Sequence, residues 1–415
     1  MKHSFILIIL LISLAACQPP AEEALPTLMD LNGTVTQQAG ETATAVAQLP
    51  PTRVPLPSTW TPSPPSSAPQ VAESPAALPS SMPEAVNDGF IYYIFNNDSI
   101  VRLFADGSFE DLILVGSAPS DLTLAPDGSL LAFSAQGNGS AREVFILSLD
   151  GSYRQQVSCL GYARIIQPVW SPDSQTLAFG ASPTPDGPVS IFTANVIGSG
   201  QCPGGNNQQE IAQLAFSRVS DLVWDSDGTR IYFSMATDEY APAIYAVEVA
   251  SRALYPPLTI PSGYGPDFSP APDPQSNWLY YLKSSYERDS GQTGGILYQL
   301  NRANLIPPLD ELEGANFFAT RLRWSIDGDY LLIESANAAS LLNRATNTSV
   351  ELARDTVFPP QAAIGPGSAA VVYVNGGGDN PTIQQIYRVS RTGKERLQLT
   401  SHAGGTITNP VWAAN

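Results

Sequence analysis

The sequence predicts an all-β protein, a β-propeller of four-stranded antiparallel blades. Seven blades are expected, with six as the alternative, and the ring is closed by pairing the C-terminal strand with the N-terminal strands. Three observations carry this expectation. One strand–turn–strand unit recurs from about residue 86 to residue 415, its spacing suits four short strands, and no long amphipathic helical pattern occurs anywhere in the 415 residues.

Taken in chain order, the first element is Lys2 and His3, an apolar run from Phe5 to Ile12, and Ser13-Leu14-Ala15-Ala16-Cys17. A charged start, a hydrophobic core and a small-residue cleavage site make residues 1–16 an expected export signal. The apolar run is shorter than the roughly 20 residues a membrane-spanning helix needs. Leu14-Ala15-Ala16-Cys17 resembles the bacterial lipobox, in which the cysteine becomes the first mature residue and carries acyl chains such as palmitate. Cys17 is therefore the expected lipidation site, an ordinary signal with a chance cysteine being the alternative. Several acyl chains, at about 0.8 kcal/mol per buried methylene, hold a protein on a bilayer that one chain leaves reversibly bound. The expected mature chain is exported and touches the bacterial cell membrane through its lipid alone, on the extracytoplasmic side.

Residues 17–85 follow as an expected disordered stalk. Between Gln18 and Ala85 there are 14 prolines among Ser, Thr and Ala, with runs such as Thr61-Pro62-Ser63-Pro64-Pro65. Such a composition cannot bury enough apolar area to fold. Held extended at about 3.1 Å per residue, it spans on the order of 100 to 200 Å.

The repeated unit occupies residues 86–415. Its clearest copies are Asp121-Leu122-Thr123-Leu124-Ala125-Pro126-Asp127-Gly128 before Leu130–Ser134, Pro168-Val169-Trp170-Ser171-Pro172-Asp173 before Leu177-Ala178-Phe179, and Leu222-Val223-Trp224-Asp225-Ser226-Asp227-Gly228 before Ile231-Tyr232-Phe233. Further copies sit at Asp267-Phe268-Ser269-Pro270, Leu322-Arg323-Trp324-Ser325-Ile326-Asp327-Gly328, Ala363-Ile364-Gly365 and Pro410-Val411-Trp412. Anchors at Leu124, Trp170, Trp224, Phe268, Trp324, Ile364 and Trp412 lie 46, 54, 44, 56, 40 and 48 residues apart. That spacing fits a four-stranded blade. The degenerate Ile364 copy is what keeps six blades open. The chain ends just after an anchor strand and the repeats begin at Phe90–Ile94 with a second strand that lacks one. Pairing the two ends closes the ring and leaves no edge exposed.

The Trp-Ser-Pro-Asp turn followed by a Leu-Ala-Phe strand resembles the WD40-like, or PD40, repeats of TolB-type β-propellers from about residue 90 onward. The resemblance implies a propeller scaffold for protein contacts or small-molecule binding, and no single activity. TolB carries an extra N-terminal α/β domain where this sequence has the proline-rich stalk, which speaks against a direct TolB role.

Chemistry is constrained next. Net charge is −18, charged residues make up 14% of the chain, and lysine occurs only at positions 2, 283 and 394. An acidic, lysine-poor chain is repelled by phosphate backbones, so no nucleic-acid partner is expected. Only His402 remains after the signal, which excludes multi-histidine metal centres; no metal and no cofactor are expected. No Gly-x-Ser-x-Gly elbow and no nucleotide-binding glycine motif is present, so no catalytic residue is assigned. Asp127, Asp173, Asp227 and Asp327 recur in one tight turn, where an aspartate accepts backbone N–H bonds one or two residues on, and are read as structural. The anchor tryptophans are expected to pack between blades and His402 to be a solvated loop residue. Cys159 and Cys202 are a disulfide candidate in an oxidising compartment; their positions on opposite blade faces weigh the other way, and the pairing stays open.

Propellers bind at the mouth of the central channel. Three residues before each anchor stand Asp121, Gln167, Asp221, Gly265, Arg321, Gln361 and Asn409, mostly polar within strand-like runs. Nearby loops add Tyr162, Arg164, Tyr264, Phe317, Phe318 and His402, suited to a peptide or a glycan. The ligand-binding set expected from sequence is Asp121, Gln167, Asp221, Tyr264, Arg321, Gln361 and Asn409, the bland reading being mere hydration of the channel. Arg321 is the lone cation at its repeat position. The domain carries 18 Lys and Arg against 32 Asp and Glu after residue 85, a charge of −14 that disfavours anionic polymers. The expected role is a non-enzymatic module binding an envelope protein, a peptide or a glycan. An extracytoplasmic hydrolase or lyase using Asp121 and Asp221 as acid and base is the alternative.

Overall fold

The computed structural model describes residues 89–137, 139–196, 208–216, 218–237, 241–261, 265–286, 293–305, 309 and 311–414. The chain divides into residues 1–76 and 77–415. The signal, Cys17 and the stalk lie outside the described residues, all of which belong to the second unit.

Its strands are β1 (Phe90–Phe95), β2 (Ser99–Phe104) and β3 (Glu110–Val115); β4 (Ser120–Leu124), β5 (Leu130–Gln136), β6 (Arg142–Ser148) and β7 (Arg154–Gln156); β8 (Arg164–Trp170), β9 (Thr176–Ser182), β10 (Ser190–Asn195) and β11 (Gln208–Gln213). Then come β12 (Val219–Trp224), β13 (Arg230–Met235) and β14 (Ala243–Glu248); β15 (Asp267–Pro272), β16 (Trp278–Tyr286), β17 (Thr293–Asn301) and β18 (Glu311–Trp324). The last are β19 (Tyr330–Ser335), β20 (Ala339–Asn343) and β21 (Thr348–Ala353); β22 (Ala362–Ile364), β23 (Ala370–Gly376), β24 (Gln384–Ser390) and β25 (Leu397–Gln398); and β26 (Ile407–Ala413). Among the described residues the helical content is one 3-10 turn, Pro366–Ser368.

All pairing is antiparallel between sequence neighbours, with one exception: β26 joins β1, giving the sheet order β26-β1-β2-β3. Strand β18 is long enough to serve twice. Its first half pairs with β17 and its second half, from Ala319, pairs with β19, which fuses two units into one seven-stranded sheet. Counting β18 in both divides the strands into seven units.

The packing repeats the same division. Middle strands such as Leu130–Gln136 and Thr176–Ser182 are buried on both faces, so they read as continuous apolar runs rather than alternating ones. Both faces are covered because each sheet is stacked between two others. Seven apolar clusters result, one at each interface between successive units. The cluster of Tyr92, Ile94, Leu131 and Phe133 joins the first unit to the second, and that of Ile91, Tyr93, Val372, Val374 and Trp412 joins the last back to the first. The innermost strands touch in sequence, β26 to β4, β4 to β8, β8 to β12, β12 to β15 and β15 to β18, while β22 touches β19 and β26. They surround a channel.

Aspartates act as acceptors in four of the inner-strand turns. Asp127, Asp173, Asp227 and Asp327 accept the N–H groups of Ser129, Gln175, Thr229 and Asp329 at 3.0, 3.1, 2.9 and 3.1 Å. Trp224 and Trp324 pack between units and donate their indole N–H to the carbonyls of Val169 and Ala271, at 3.1 and 3.2 Å, on the preceding inner strand. One anchor is corrected. Register equates Leu124–Leu131, Trp170–Leu177, Trp224–Ile231 and Trp324–Leu331 with Pro272–Leu279, so the anchor of the fifth unit is Pro272 and not Phe268.

Candidate functional site

A bulge interrupts nearly every inner strand at one place. The register slips between Ser120 and Thr123, Ile166 and Val169, Ser220 and Val223, Phe268 and Ala271, and Ala319 and Arg321. At this place Asp121, Gln167, Asp221, Ser269 and Asn409 hold positive φ angles of 57°, 37°, 56°, 52° and 51°. A left-handed residue without glycine's freedom carries a strain of about 1 kcal/mol, least for Asp and Asn. The bulge thus accounts in part for the Asp and Asn at three positions, and it turns these side chains toward the channel.

Together they line one cavity of 340 Å³, whose wall includes Asp121, Gln167, Asp221, Ser269, Arg321 and Asn409. Five of the seven residues expected from sequence are brought together here. Gln361 is not in that wall: its Oε1 accepts the Asn409 N–H at 2.7 Å and so fixes a neighbour. Tyr264 lies outside the described residues. Sequence reasoning missed two members. Ser269 replaces Gly265 once the anchor is moved to Pro272, and Arg323, one residue before its anchor, enters the same cavity.

The site's charges are fixed by local bonds. Asp121 accepts from the Ser120 and Ser134 hydroxyls at 3.0 and 3.1 Å, both into Oδ2, and Arg142 clamps those serines from outside. Asp221 accepts from the Ser220 hydroxyl at 3.0 Å and the Ser269 N–H at 3.4 Å, again through Oδ2. The Ser269 hydroxyl accepts the Leu322 N–H at 2.8 Å. Strand β8 stands between the two aspartates, each held by its own donors, so they are not joined as an acid–base pair. Among the described residues no cluster of three or more His, Cys, Asp or Glu is arranged to hold a metal ion.

Arg323 stands where this cavity meets two others. At its repeat position the other inner strands carry Thr123, Val169, Val223, Ala271, Ala363 and Val411, all small and none of them charged. Beyond it the channel opens at the anchor end into apolar cavities of 500 and 440 Å³, walled by Leu124, Trp170, Trp224, Trp324, Ile364 and Trp412, and Arg323 lines both. A third of its side-chain surface remains accessible. Desolvation, then the nearby Arg321 charge, pushes its pKa down to about 10 against the opposing pull of Glu334, which leaves it protonated at neutral pH.

The aromatic loop residues are less available than expected. Tyr162 meets Phe192 edge-on, and Phe317 packs on the apolar cluster between the fifth and sixth units. His402 is no solvated residue: it stacks on Phe95 at 4.7 Å, lies 3.1 Å from the Tyr93 hydroxyl and 3.8 Å from Glu110, and helps seal the seam between β25 and β26. Burial drives the Tyr93 pKa up, with Glu110 adding to it. Cys159 is disulfide-bonded, and Cys202 lies outside the described residues.

Comparisons with known proteins fit this architecture. No protein-family model matches the chain. The β-propeller domain of the Trilobed protease from Pyrococcus furiosus superposes with a TM-score of 0.52 at 11% identity, over 75% of this chain and 94% of that one. The oligogalacturonate lyase of Vibrio parahaemolyticus gives 0.50 at 12% identity, over 70% and 83%. TolB from Acinetobacter baumannii gives 0.48 at 17% identity, over 77% and 81%. The first likeness shows the fold, a β-propeller. In sequence the chain is similar to an uncharacterized peptidase of Bacillus subtilis, YuxL, 23% identical over 179 residues. Those residues are 43% of this chain, and the chain spans about a quarter of that relative's length.

Proposed function

We propose that this chain is a lipid-anchored, extracytoplasmic β-propeller that works as a binding module of the bacterial cell envelope without enzymatic activity. It holds part of an envelope protein, a peptide or a glycan at the polar end of its channel. The lipobox-like Leu14-Ala15-Ala16-Cys17 and the proline-rich residues 17–85 support the anchorage. One observation carries the rest: polar side chains from six different strands, at equivalent places in the repeat, line a single cavity. Arg321 lies outside the left-handed bulge position, so backbone strain does not account for it. A net charge of −14 after residue 85 selects against polyanionic partners.

The test is affinity capture from solubilised envelope with the full-length protein, beside the double variant Asp221→Ala, Arg321→Ala. A partner retained by the parent and lost from the variant is the expected result; equal capture by both overturns the channel as the binding face. The second reading, a hydrolase, rests on the likeness to a protein named as a peptidase. It predicts turnover abolished by Asp121→Ala or Asp221→Ala, and their separation by β8 gives it little geometric support.

A further inference from the structure

The charges in the channel are not mixed evenly. Arg321 and Arg323 alternate on β18 and so face the same way, into the cavity. On the other inner strands the carboxylates are Asp121 of β4 and Asp221 of β12, and the neutral hydrogen-bonding groups Gln167, Ser269 and Asn409 complete the ring. One wall is cationic and the remainder is anionic or neutral.

Both walls have unused bonding capacity. The Arg321 guanidinium makes no hydrogen bond or ion pair with a described residue, its pairing with Glu334 being through the strand backbone. Arg323 reaches Glu334 Oε1 through Nη2 at 3.3 Å, but that oxygen already accepts the Ala362 N–H at 2.7 Å, and the Arg323 Nε is buried with no partner. Two guanidiniums so close repel each other, and a bound anion relieves this through paired, charge-assisted hydrogen bonds. On the aspartates, all the bonds named above go to Oδ2, which leaves Oδ1 of each without a hydrogen bond to a described residue.

We propose that the channel binds a short peptide with both ends free, its carboxylate on Arg321 and Arg323 and its ammonium toward Asp121 and Asp221. This rests on the reading of the channel as a binding site and narrows it to one ligand class. A cavity of 340 Å³ lies at the small end of ligand pockets, of the size for a few residues rather than a folded loop. The acidic wall favours the peptide over an acidic sugar, because a uronate offers an anion to the arginines but only neutral hydroxyls to the aspartates, where the peptide offers an ammonium charge.

The experiment is calorimetric titration of the full-length protein in detergent, at low salt, with unblocked alanine peptides of one to four residues. The tightest of these is then compared with its C-terminal amide, its N-acetyl form and digalacturonate. Tightest binding by an unblocked peptide is expected, with at least tenfold weakening by either blocking group. Arg321→Gln and Arg323→Gln should each weaken the free peptide at least tenfold and remove its advantage over the amide. Arg321→Gln keeps the test valid if loss of the Glu334 contact unfolds the other variant. Equal affinity for free and amidated peptide overturns the carboxylate assignment. Tighter binding of digalacturonate, or no binding by any unblocked peptide, overturns the inference. The broader channel reading fails separately, when envelope capture is indifferent to the Asp221→Ala, Arg321→Ala pair.

Discussion

At the scale of single residues, one substitution within a repeated bond has produced an unusual acid. The hydroxyls of Ser158, Thr259 and Thr400 each accept the N–H of a third-strand residue, Val144, Ile244 and Ile386, at 2.8, 3.1 and 3.0 Å. Two of them donate onward to the preceding residue, Ser158 to Glu143 and Thr400 to Gln385. In the third case that residue is Ala243, and the Asp267 carboxyl stands near Thr259 instead. Asp267 is fully buried and neither of its carboxyl oxygens meets hydrogen-bond geometry with a described residue. Burial pushes its pKa up to about 6, while Thr259 and the Lys283 charge pull it down and Glu311 pushes it further up. The folded state therefore favours the protonated acid. Its contribution to stability is fully present below the ordinary carboxylate pKa and is lost as pH rises through about 6, an effect on the order of 2 to 3 kcal/mol. Asp267→Asn, always neutral, should melt several degrees above the parent at pH 7.5 and approach it at pH 4.5. A melting difference that stays constant between those pH values would mean that Asp267 does not titrate in this range.

At the scale of elements, the turn between first and second strands shows what could be read from the sequence. Its fourth residue needs a left-handed backbone, and Gly128, Gly228 and Gly328 supply it at φ near 74°. Ser174 and Ser368 take the same conformation at 60° and 55°, and both have a second duty. The Ser174 hydroxyl accepts the Asp127 N–H at 3.0 Å, and the Ser368 hydroxyl donates to Asp327 at 2.9 Å, each bond reaching back to the preceding unit's turn. Ser368→Ala keeps the strain and loses the bond, so it should destabilise by about 1 kcal/mol. Ser368→Gly loses the bond and the strain together and should stay within about 0.5 kcal/mol of the parent. Urea titration of both variants checks this, and equal losses in the two would show that strain is absent. The Trp-Ser-Pro-Asp turns and the doubly buried strands were legible because their chemistry is local. The fifth anchor was not, because Phe268-Ser269-Pro270 imitates the aromatic-Ser-Pro pattern four residues ahead of Pro272, while the aromatic packing there comes from Tyr280, edge-on to Trp324 at 5.2 Å. Arg321 stood out at its repeat position; Arg323 did not, because its charge becomes visible only when the small residues at the same repeat position of the other strands are aligned with it.

At the scale of the whole molecule, the question is whether the units are cooperative or merely strung together. A linear array distributes stability as a sum over neighbours, and removing a terminal strand damages one end alone. In this domain the strand at the C-terminal end belongs to the first unit. Excising β26 uncovers the β1 edge and opens the cluster of Ile91, Tyr93, Val372, Val374 and Trp412 on both sides at once. The last and first units would then separate, and the inner strands would lose the contacts of β26 with β4 and β22 that enclose the channel. Trp412 is nearly buried, with the Arg388 guanidinium 5.4 Å from its ring centroid, so Trp412→Ala alone should cost about 3 to 5 kcal/mol. Truncation after Thr406 should go further and abolish the single sharp unfolding transition expected of the parent in calorimetry. If the truncated protein instead unfolds in one transition, with a midpoint within a few degrees of the parent and an unchanged urea dependence, the seam between the last and first units contributes little. The fold would then be held together as an array, and the polar ring of the channel would have to be positioned by local pairing alone.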